Sequence, residues 1–336
     1  MEKHEKYMKR ALELAALGRL YASPNPIVGC VIVQEDKIIG EGWHKKHGGP
    51  HAEVNAVNSV KDQSDIYGST VYVTLEPCSH YGKTPPCSEM LARLQPAEVV
   101  IANIDSNPKV AGKGIAILEK AGIKVTLDVL SDEARRVNRR FFTAMEQKRP
   151  YVILKWAQTD DGFIALENYD SKWISNSSSR KLVHSWRSQE DAILVGYNTA
   201  LHDNPSLTTR DWKGKNPKRI VIDPKLELSK DLNLFNGSVE TYRVCEGEHG
   251  SENIISLAKI DPKSILSALV EKDIHSIIIE GGSSTLQKFI DAELWDEARV
   301  FVSETKFEQG VKAPDLDRKP STSREIFGDR LHYYYN

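Results

Sequence analysis

Residues that hold one metal ion must converge on one point, and this chain carries such a set far apart in sequence: His51, Cys78 and Cys87. That requirement constrains the fold more than any other feature. One imidazole and two thiolates suit zinc (Zn2+), and three protein ligands leave the fourth tetrahedral position to water, as in a catalytic site. Val71-Tyr72-Val73-Thr74-Leu75 reads as a strand that ends at Glu76-Pro77, delivering Cys78 just beyond it. Cys87 to Leu94 reads as a helix with Leu91 and Leu94 inward, which puts the Cys87 thiolate at a helix N-terminus, where the dipole favours it. His51 to Val57 reads as a second helix, opening after Gly48-Gly49-Pro50.

Glu53, two residues after His51, is left as a non-ligating carboxylate beside the metal. The pattern His-x-Glu, then Pro-Cys and a further Cys, is the signature of zinc nucleobase deaminases. Replacing a ring amino group by water needs a strong nucleophile at neutral pH, and zinc lowers the pKa of water from ~15.7 to roughly 7. Glu53 is expected to take a proton from that water, protonate a ring nitrogen and then the departing ammonia, which requires a raised pKa. The two cysteines are separated by Ser79 to Pro86 instead of by two residues. This insertion is polar, stiffened by prolines and carries His80 and Lys83, so it reads as a loop that contacts substrate.

With 336 residues and 40% hydrophobic content, two domains are expected. The formal net charge of −2 gives no general attraction to nucleic acid or membrane. Cys30 and Cys245 lie in strand-like runs and are expected to be reduced core residues, as in a reducing cytoplasm. Met1 to Arg10 lacks the apolar core of a signal peptide, and no run approaches the length of a membrane helix.

The first half reads as one α/β layer set. A helix over residues 4–18 is followed by strands at 27–33 and 37–43, the metal-site elements, a strand at 98–102, a helix at 114–121 and a strand at 124–127. Ser131 to Gln147 reads as a single Arg-rich helix that is a solvated connector, since Asp132, Glu133 and Glu146 offset its arginines. The domain boundary is placed at Lys148-Arg149-Pro150, giving domains 1–149 and 150–336. The second half alternates strands (151–157, 191–196, 219–223, 276–280, 297–303) with helices (177–188, 283–291), an α/β domain with a largely parallel sheet. It contains no Gly-x-Gly-x-x-Gly, so a Rossmann dinucleotide site is not supported.

The chain closely resembles the bifunctional riboflavin-biosynthesis deaminase/reductase family over essentially its whole length. The matching stretches are Ser23 to Gly29, His51-Ala52-Glu53 and Thr74 to Cys87, then Leu154-Lys155, Trp173-Ile174-Ser175, Asp203-Asn204-Pro205, Leu207-Thr208, Arg210 and Glu280-Gly281-Gly282. The resemblance implies a three-layer, cytidine-deaminase-like N-terminal domain and a dihydrofolate-reductase-like C-terminal domain. It implies hydrolysis of the 2-amino group of 2,5-diamino-6-ribosylamino-4(3H)-pyrimidinone 5′-phosphate, then reduction of the ribosyl group to ribityl with NADPH. The expected partners are this small phosphorylated ribosylaminopyrimidine and a second copy of the chain in a homo-oligomer, with no nucleic acid and no membrane.

Carried over residue by residue, the resemblance implies that Asn25, His44, His80, Lys83, Asp105 and Asn107 contact the deaminase substrate. Gly112 and Gly114 precede a helix and either present amides to phosphate or form a plain turn. In the second half, Lys155, Ser171, Arg187, Leu207, Arg210 and Glu280 are expected to hold the reductase substrate, the arginines by forked hydrogen bonds to phosphate. Ala157, Trp173, Thr199, Asp203 and the run Gly282, Ser283, Ser284, Thr285, Leu286, Gln287 and Lys288 are expected to contact NADPH. Two features depart from the family pattern. Asp160 stands where an apolar residue usually precedes Asp161-Gly162, and a Gly-rich segment near the C-terminus is reduced to Gln309 to Asp315. Two other readings stay open from the residues: a base, nucleoside or RNA deaminase with a degenerate second domain, and a non-catalytic zinc sensor.

Overall fold

The computed structural model describes residues 2–81, 85–107, 110–168 and 174–336. The chain divides into two compact units, Met1–Gln147 and Lys148–Asn336.

In the first unit a five-stranded sheet has the order β2 (Lys37–Trp43), β1 (Gly29–Gln34), β3 (Thr70–Val73), β4 (Glu98–Ile101), β5 (Lys124–Thr126). β1 pairs antiparallel with both β2 and β3, whereas β3, β4 and β5 run parallel. Side chains alternate across the strands, so each strand feeds two cores. Cys30, Ile32, Val71 and Val73 pack with Ala52, Ala56, Leu91 and Leu118 from α2 (Ala52–Ser59), α3 (Cys87–Leu94) and α4 (Lys113–Lys120). Val31, Val33, Tyr72 and Val100 pack on the other face with Tyr7, Met8, Ala11 and Leu12 of α1 (Glu2–Ala16), whose apolar residues fall at helical spacing. A Cβ on Gly29 would lie 1.9 Å from the Ala11 carbonyl, so only glycine lets α1 approach β1 this closely. The result is three layers, with Cys30 fully buried between them.

The stretch expected to be one solvated helix is two: α5 (Ser131–Val137) and α6 (Arg139–Gln147), separated at Asn138. Nor is it merely solvated. Phe141 and Phe142 are buried against Leu75, a contact that stabilises by about 1.5–3 kcal/mol per ring. Two adjacent aromatics within a charged run give no helical stripe, and the balance of charges alone reads as a connector.

The second unit is built on a nine-stranded sheet, order β11-β10-β9-β8-β12-β6-β13-β16-β15. These strands are β6 (Tyr151–Gln158), β8 (Ala192–Val195), β9 (Lys218–Ile222), β10 (Thr241–Glu246), β11 (Ile254–Leu257), β12 (Ser276–Glu280), β13 (Glu297–Val302), β15 (Thr322–Ile326) and β16 (Asp329–Tyr335), while β7 (Phe163–Ala165) pairs with β14 (Val311–Lys312) in a small separate sheet. β11 through β13 are parallel; β16 and β15 close the sheet antiparallel. One face carries Val152, Leu154, Ile277 and Ile279 against α9 (Pro262–Val270) and α10 (Ser283–Asp291). The opposite face carries Tyr151, Ile153 and Ile278 against Val183 and Trp186 of α7 (Ser177–Arg187), and Ile193 and Val195 against Ala200 of α8 (Tyr197–Asp203). Cys245 is fully buried in β10 and, like Cys30, is a free thiol.

Candidate active sites

In the first unit His51 immediately precedes α2, Cys78 lies just beyond β3 and Cys87 opens α3. Their ligand atoms all lie within 4.8 Å of one another, the one such cluster among the described residues. His51 presents Nδ1 to both sulfurs, 3.4 Å from Cys78 Sγ and 3.6 Å from Cys87 Sγ. The Cys87 backbone N–H donates to Cys78 Sγ at 3.3 Å, an amide at a helix N-terminus aimed at a sulfur. The Cys87 thiol, this amide and His51 together hold the Cys78 thiol below its usual range. An imidazole and two sulfurs, one of them readily ionised, form a donor set that fits zinc. Glu53 is 3% exposed, and burial pushes its carboxyl up to about 7 against the pull of His51.

Asn25 and His44 are brought together. His44 Nδ1 faces the Pro50 carbonyl at 3.1 Å and must donate to it, which leaves Nε2 to accept from Asn25 Nδ2 at 3.1 Å. The ring is therefore neutral, and burial holds its pKa below the ordinary value. It stands edge-on to His51, with centroids 5.5 Å apart. His80 is exposed and lies near enough to Asp105 to favour its charged form. Burial lifts the Asp105 carboxyl to about 6, although it accepts the Asn107 N–H at 2.7 Å. Lys83 lies outside the described residues.

Gly112 and Gly114, left open between phosphate amides and a plain turn, have a different partner. Their amides donate to the buried carboxylate of Glu76, at 2.9 Å each, and Asp105 N and Ile115 N point to the same group at 3.3 and 3.4 Å. An internal anion already occupies the N-terminus of α4. Sequence reading missed Glu76 as an organiser because its partners lie 29 to 39 residues away.

In the second unit a cleft of about 910 Å³ opens beyond the carboxyl ends of β6, β8, β9 and β12, where open α/β sheets bind ligands. Lys155, Ala157, Arg187, Thr199, Asp203, Leu207, Arg210 and Glu280 line it, as do Gly282 to Thr285 and Lys288. Leu286 and Gln287 do not. Helical rotation buries Leu286 in the core and turns Gln287 toward the Asp315 backbone. Ser171 and Trp173 lie outside the described residues.

The Arg187 fork is not open to a phosphate. It grips Glu280, Nε to Oε1 at 2.9 Å and Nη2 to Oε2 at 2.8 Å, while Lys155 Nζ stands 3.5 Å from Oε2. Arg210 is different: its side chain is 57% exposed, with the nearest carboxylate, Asp211, at 4.0 Å. His184, not anticipated from sequence, supports the Arg210 loop by contacting the Thr208 carbonyl at 2.8 Å and Asp211 at 3.2 Å. Gly196 is a further unanticipated residue: a Cβ there would lie 2.4 Å from Thr285 Oγ1, closing the approach of β8 to α10. The α10 N-terminus, two adjacent glycines and Lys288 suit the phosphates of a dinucleotide.

Both departures are accommodated. Asp160 pairs with Arg330 and stands 3.8 Å from Lys306. The shortened segment still pairs with β7 through Val311, which lines the cleft.

Residues 1–103 match the family described as the cytidine and deoxycytidylate deaminase zinc-binding region, and residues 150–304 match the RibD C-terminal domain. The riboflavin biosynthesis protein RibD of Aquifex aeolicus is 41% identical over 320 residues, covering 92% of this chain and 89% of that protein. The chain belongs to the RibD family. RibD of Escherichia coli is 36% identical over 322 residues, covering 89% of this chain and 87% of that protein. A solved structure from Thermotoga maritima, described as a diaminohydroxyphosphoribosylaminopyrimidine deaminase/5-amino-6-(5-phosphoribosylamino)uracil reductase, superposes with a TM-score of 0.90 at 37% identity, covering 99% of this chain and 98% of that one. Acinetobacter baumannii RibD superposes equally well, TM-score 0.90 at 35% identity over 99% of both chains. As a RibD protein the chain is a bifunctional deaminase/reductase of riboflavin biosynthesis that uses zinc and NADPH, and it combines a cytidine-deaminase-like fold with a dihydrofolate-reductase-like one.

Proposed function

We propose that residues 1–149 deaminate 2,5-diamino-6-ribosylamino-4(3H)-pyrimidinone 5′-phosphate and residues 150–336 then reduce the ribosyl group of the product. The observation that carries the reading is the convergence of His51, Cys78 and Cys87 beside a buried Glu53. These three residues would hold zinc, which when bound makes water nucleophilic near neutral pH. Glu53 moves the protons: its carboxylate takes one from the attacking water and passes it to a ring nitrogen, then takes a second from the newly added hydroxyl and passes it to the amino group, which leaves as ammonia, and a pKa of about 7 suits both directions. Asn25, locked by His44, reads the pyrimidine; His80 and Lys83 hold the ribose phosphate, and Asp105 and Asn107 contact the substrate.

In the second unit NADPH, when bound, supplies the hydride. Thr199, Asp203 and the residues from Gly282 to Thr285, with Lys288, face the cofactor, and Ala157 and Trp173 complete that side. Lys155 orients the opened sugar and donates a proton, with Glu280 fixing its Nζ and Arg187 fixing Glu280. Ser171, Leu207 and Arg210 hold the substrate, Arg210 taking the phosphate. A homo-oligomer and a cytoplasmic location belong to the same reading. Among the described residues no helix is long and apolar enough to cross a membrane. Light scattering tests the assembly.

The test is a one-pot assay on the diaminopyrimidinone phosphate with zinc and NADPH, following ammonia and reduced-nicotinamide absorbance together. Ammonia release is expected with or without NADPH, and NADPH oxidation only after it. Oxidation that precedes ammonia release would reverse the proposed order.

A further inference from the structure

Asn138 occupies the break between α5 and α6 and is 3% exposed. Its side chain makes two reciprocal hydrogen bonds to one distant residue. Oδ1 accepts the Ile27 N–H at 2.9 Å, and Nδ2 donates to the Ile27 carbonyl at 2.7 Å. Ile27 precedes β1 and has no strand neighbour there, so this amide supplies the donor and acceptor that an adjacent strand would otherwise supply. Among side chains of this size only asparagine has both; aspartate lacks the donor and leucine lacks both.

The clamp lies two residues from Asn25. The chain on the other side is pinned by Asn25 N donating to the Ala22 carbonyl at 2.9 Å, and Val28 O accepts from His44 N at 2.9 Å. Phe141 and Phe142 pack on Val28 as well as on Leu75, so α6 braces the Asn25 loop and the strand end that leads to Cys78. The same helix pair ties down the other loop of the site. Asn103 Nδ2 donates to Ser131 Oγ at 2.7 Å, and Ser106 Oγ donates to Glu146 at 2.6 Å. All of α5 and α6 lies beyond the residues that match the deaminase zinc-binding region.

We infer that Asn138 is a positioning residue of the deaminase, setting substrate affinity by fixing Asn25 through Ile27. This rests on the reading of Asn25 as a pyrimidine contact. Without the clamp the Ile27 groups turn to water and Asn25 loses its fixed relation to His44. Binding weakens in ground state and transition state alike, so KM rises and kcat does not.

The experiment uses the full chain with the diaminopyrimidinone phosphate and measures four variants: Asn138→Ala, Asn138→Gln, Asn25→Ala and the double variant Asn25→Ala/Asn138→Ala. Asn138→Ala is expected to raise the deaminase KM about tenfold with kcat within about twofold, as for lost buried hydrogen bonds. Zinc content and the NADPH oxidation rate stay unchanged, which separates positioning from unfolding. In the Asn25→Ala background the same change adds nothing to KM. Should Asn138→Ala not accumulate as folded chain, Asn138→Gln, with both groups at the wrong reach, is expected to raise KM in the same direction. If Asn25→Ala raises KM and neither Asn138 variant does, or if the Asn138 effect persists in full in the Asn25→Ala background, the inference is overturned. If Asn25→Ala leaves KM unchanged, the reading of Asn25 falls and the inference with it.

Discussion

Arg187 and Glu280, 93 residues apart, meet in the lining of the second-unit cleft, where guanidinium Nε and Nη2 both donate to the carboxylate. The pair is almost wholly buried, with side-chain exposure of 11% on each partner. Arg187→Ala leaves a buried carboxylate with Lys155 as its remaining cation, which costs about 3 kcal/mol. Five of the six tryptophans lie in the second unit, so denaturant unfolding followed by tryptophan fluorescence reports on it. The midpoint is expected to fall in Arg187→Ala, and NADPH oxidation to fall with it while ammonia release is retained.

The same pair fixes a pH dependence. Burial alone would raise the Glu280 carboxyl, but Arg187 and then Lys155 outweigh it and bring it to about 2, from 4.5. A depressed carboxyl stabilises the folded chain fully above the unfolded value and loses that contribution as pH falls toward the folded one. The window is therefore pH 4.5 down to about 2, with about 3 kcal/mol at stake. Stability measured across that window is expected to drop less steeply in Glu280→Gln; an identical slope would remove Glu280 as its source.

Glu76 gathers the amides of Asp105, Gly112, Gly114 and Ile115 beside the metal cluster. Glu76→Ala is expected to cost about 2 kcal/mol or more and to raise the deaminase KM, since it frees the loop that carries Asp105 and Asn107. Gly114→Ala acts on the same joint by another route, because its Cβ would lie 2.1 Å from the Pro77 carbonyl. Zinc retention and ammonia release are expected to fall in both variants, with NADPH oxidation of the uracil intermediate unaffected.

Arg210→Ala is expected to raise the KM of the reductase for the phosphorylated uracil intermediate by about tenfold to a hundredfold, as for a lost charge-assisted contact, and to spare ammonia release. Arg210→Lys recovers only part of this, since a point charge replaces a fork. Steady-state kinetics on the intermediate, supplied directly, checks it.

The zinc cluster was legible because ligand chemistry survives without coordinates: an imidazole and two thiols near a free carboxylate admit few uses. Apolar period made β1 to β6, β8, β9, β12 and β13 legible, with α1 to α4, α7 and α10, but not α8, α9, β10, β11 or β16. What escaped was set by distant partners. No residue near Arg187 in sequence announces Glu280, and no local pattern shows that Gly112 and Gly114 serve Glu76 instead of a phosphate. The break at Asn138 was invisible because Val137-Asn138-Arg139 contains neither proline nor glycine. The polar edge strand β15 and the short β7 and β14 bury too little apolar surface to leave a pattern. Leu286 and Gln287 show the opposite error, in which a contiguous stretch was read as a contact although a helix turns each residue to a different side.

Metal analysis with X-ray absorption on the purified full chain tests the central claim most directly. One zinc per chain, with one nitrogen and two sulfur donors from the protein, is expected, and Cys78→Ser/Cys87→Ser is expected to lose both the metal and ammonia release while NADPH oxidation of the uracil intermediate continues. Zinc retained at full stoichiometry in that double variant, or a donor set without sulfur in the unaltered chain, would contradict the account.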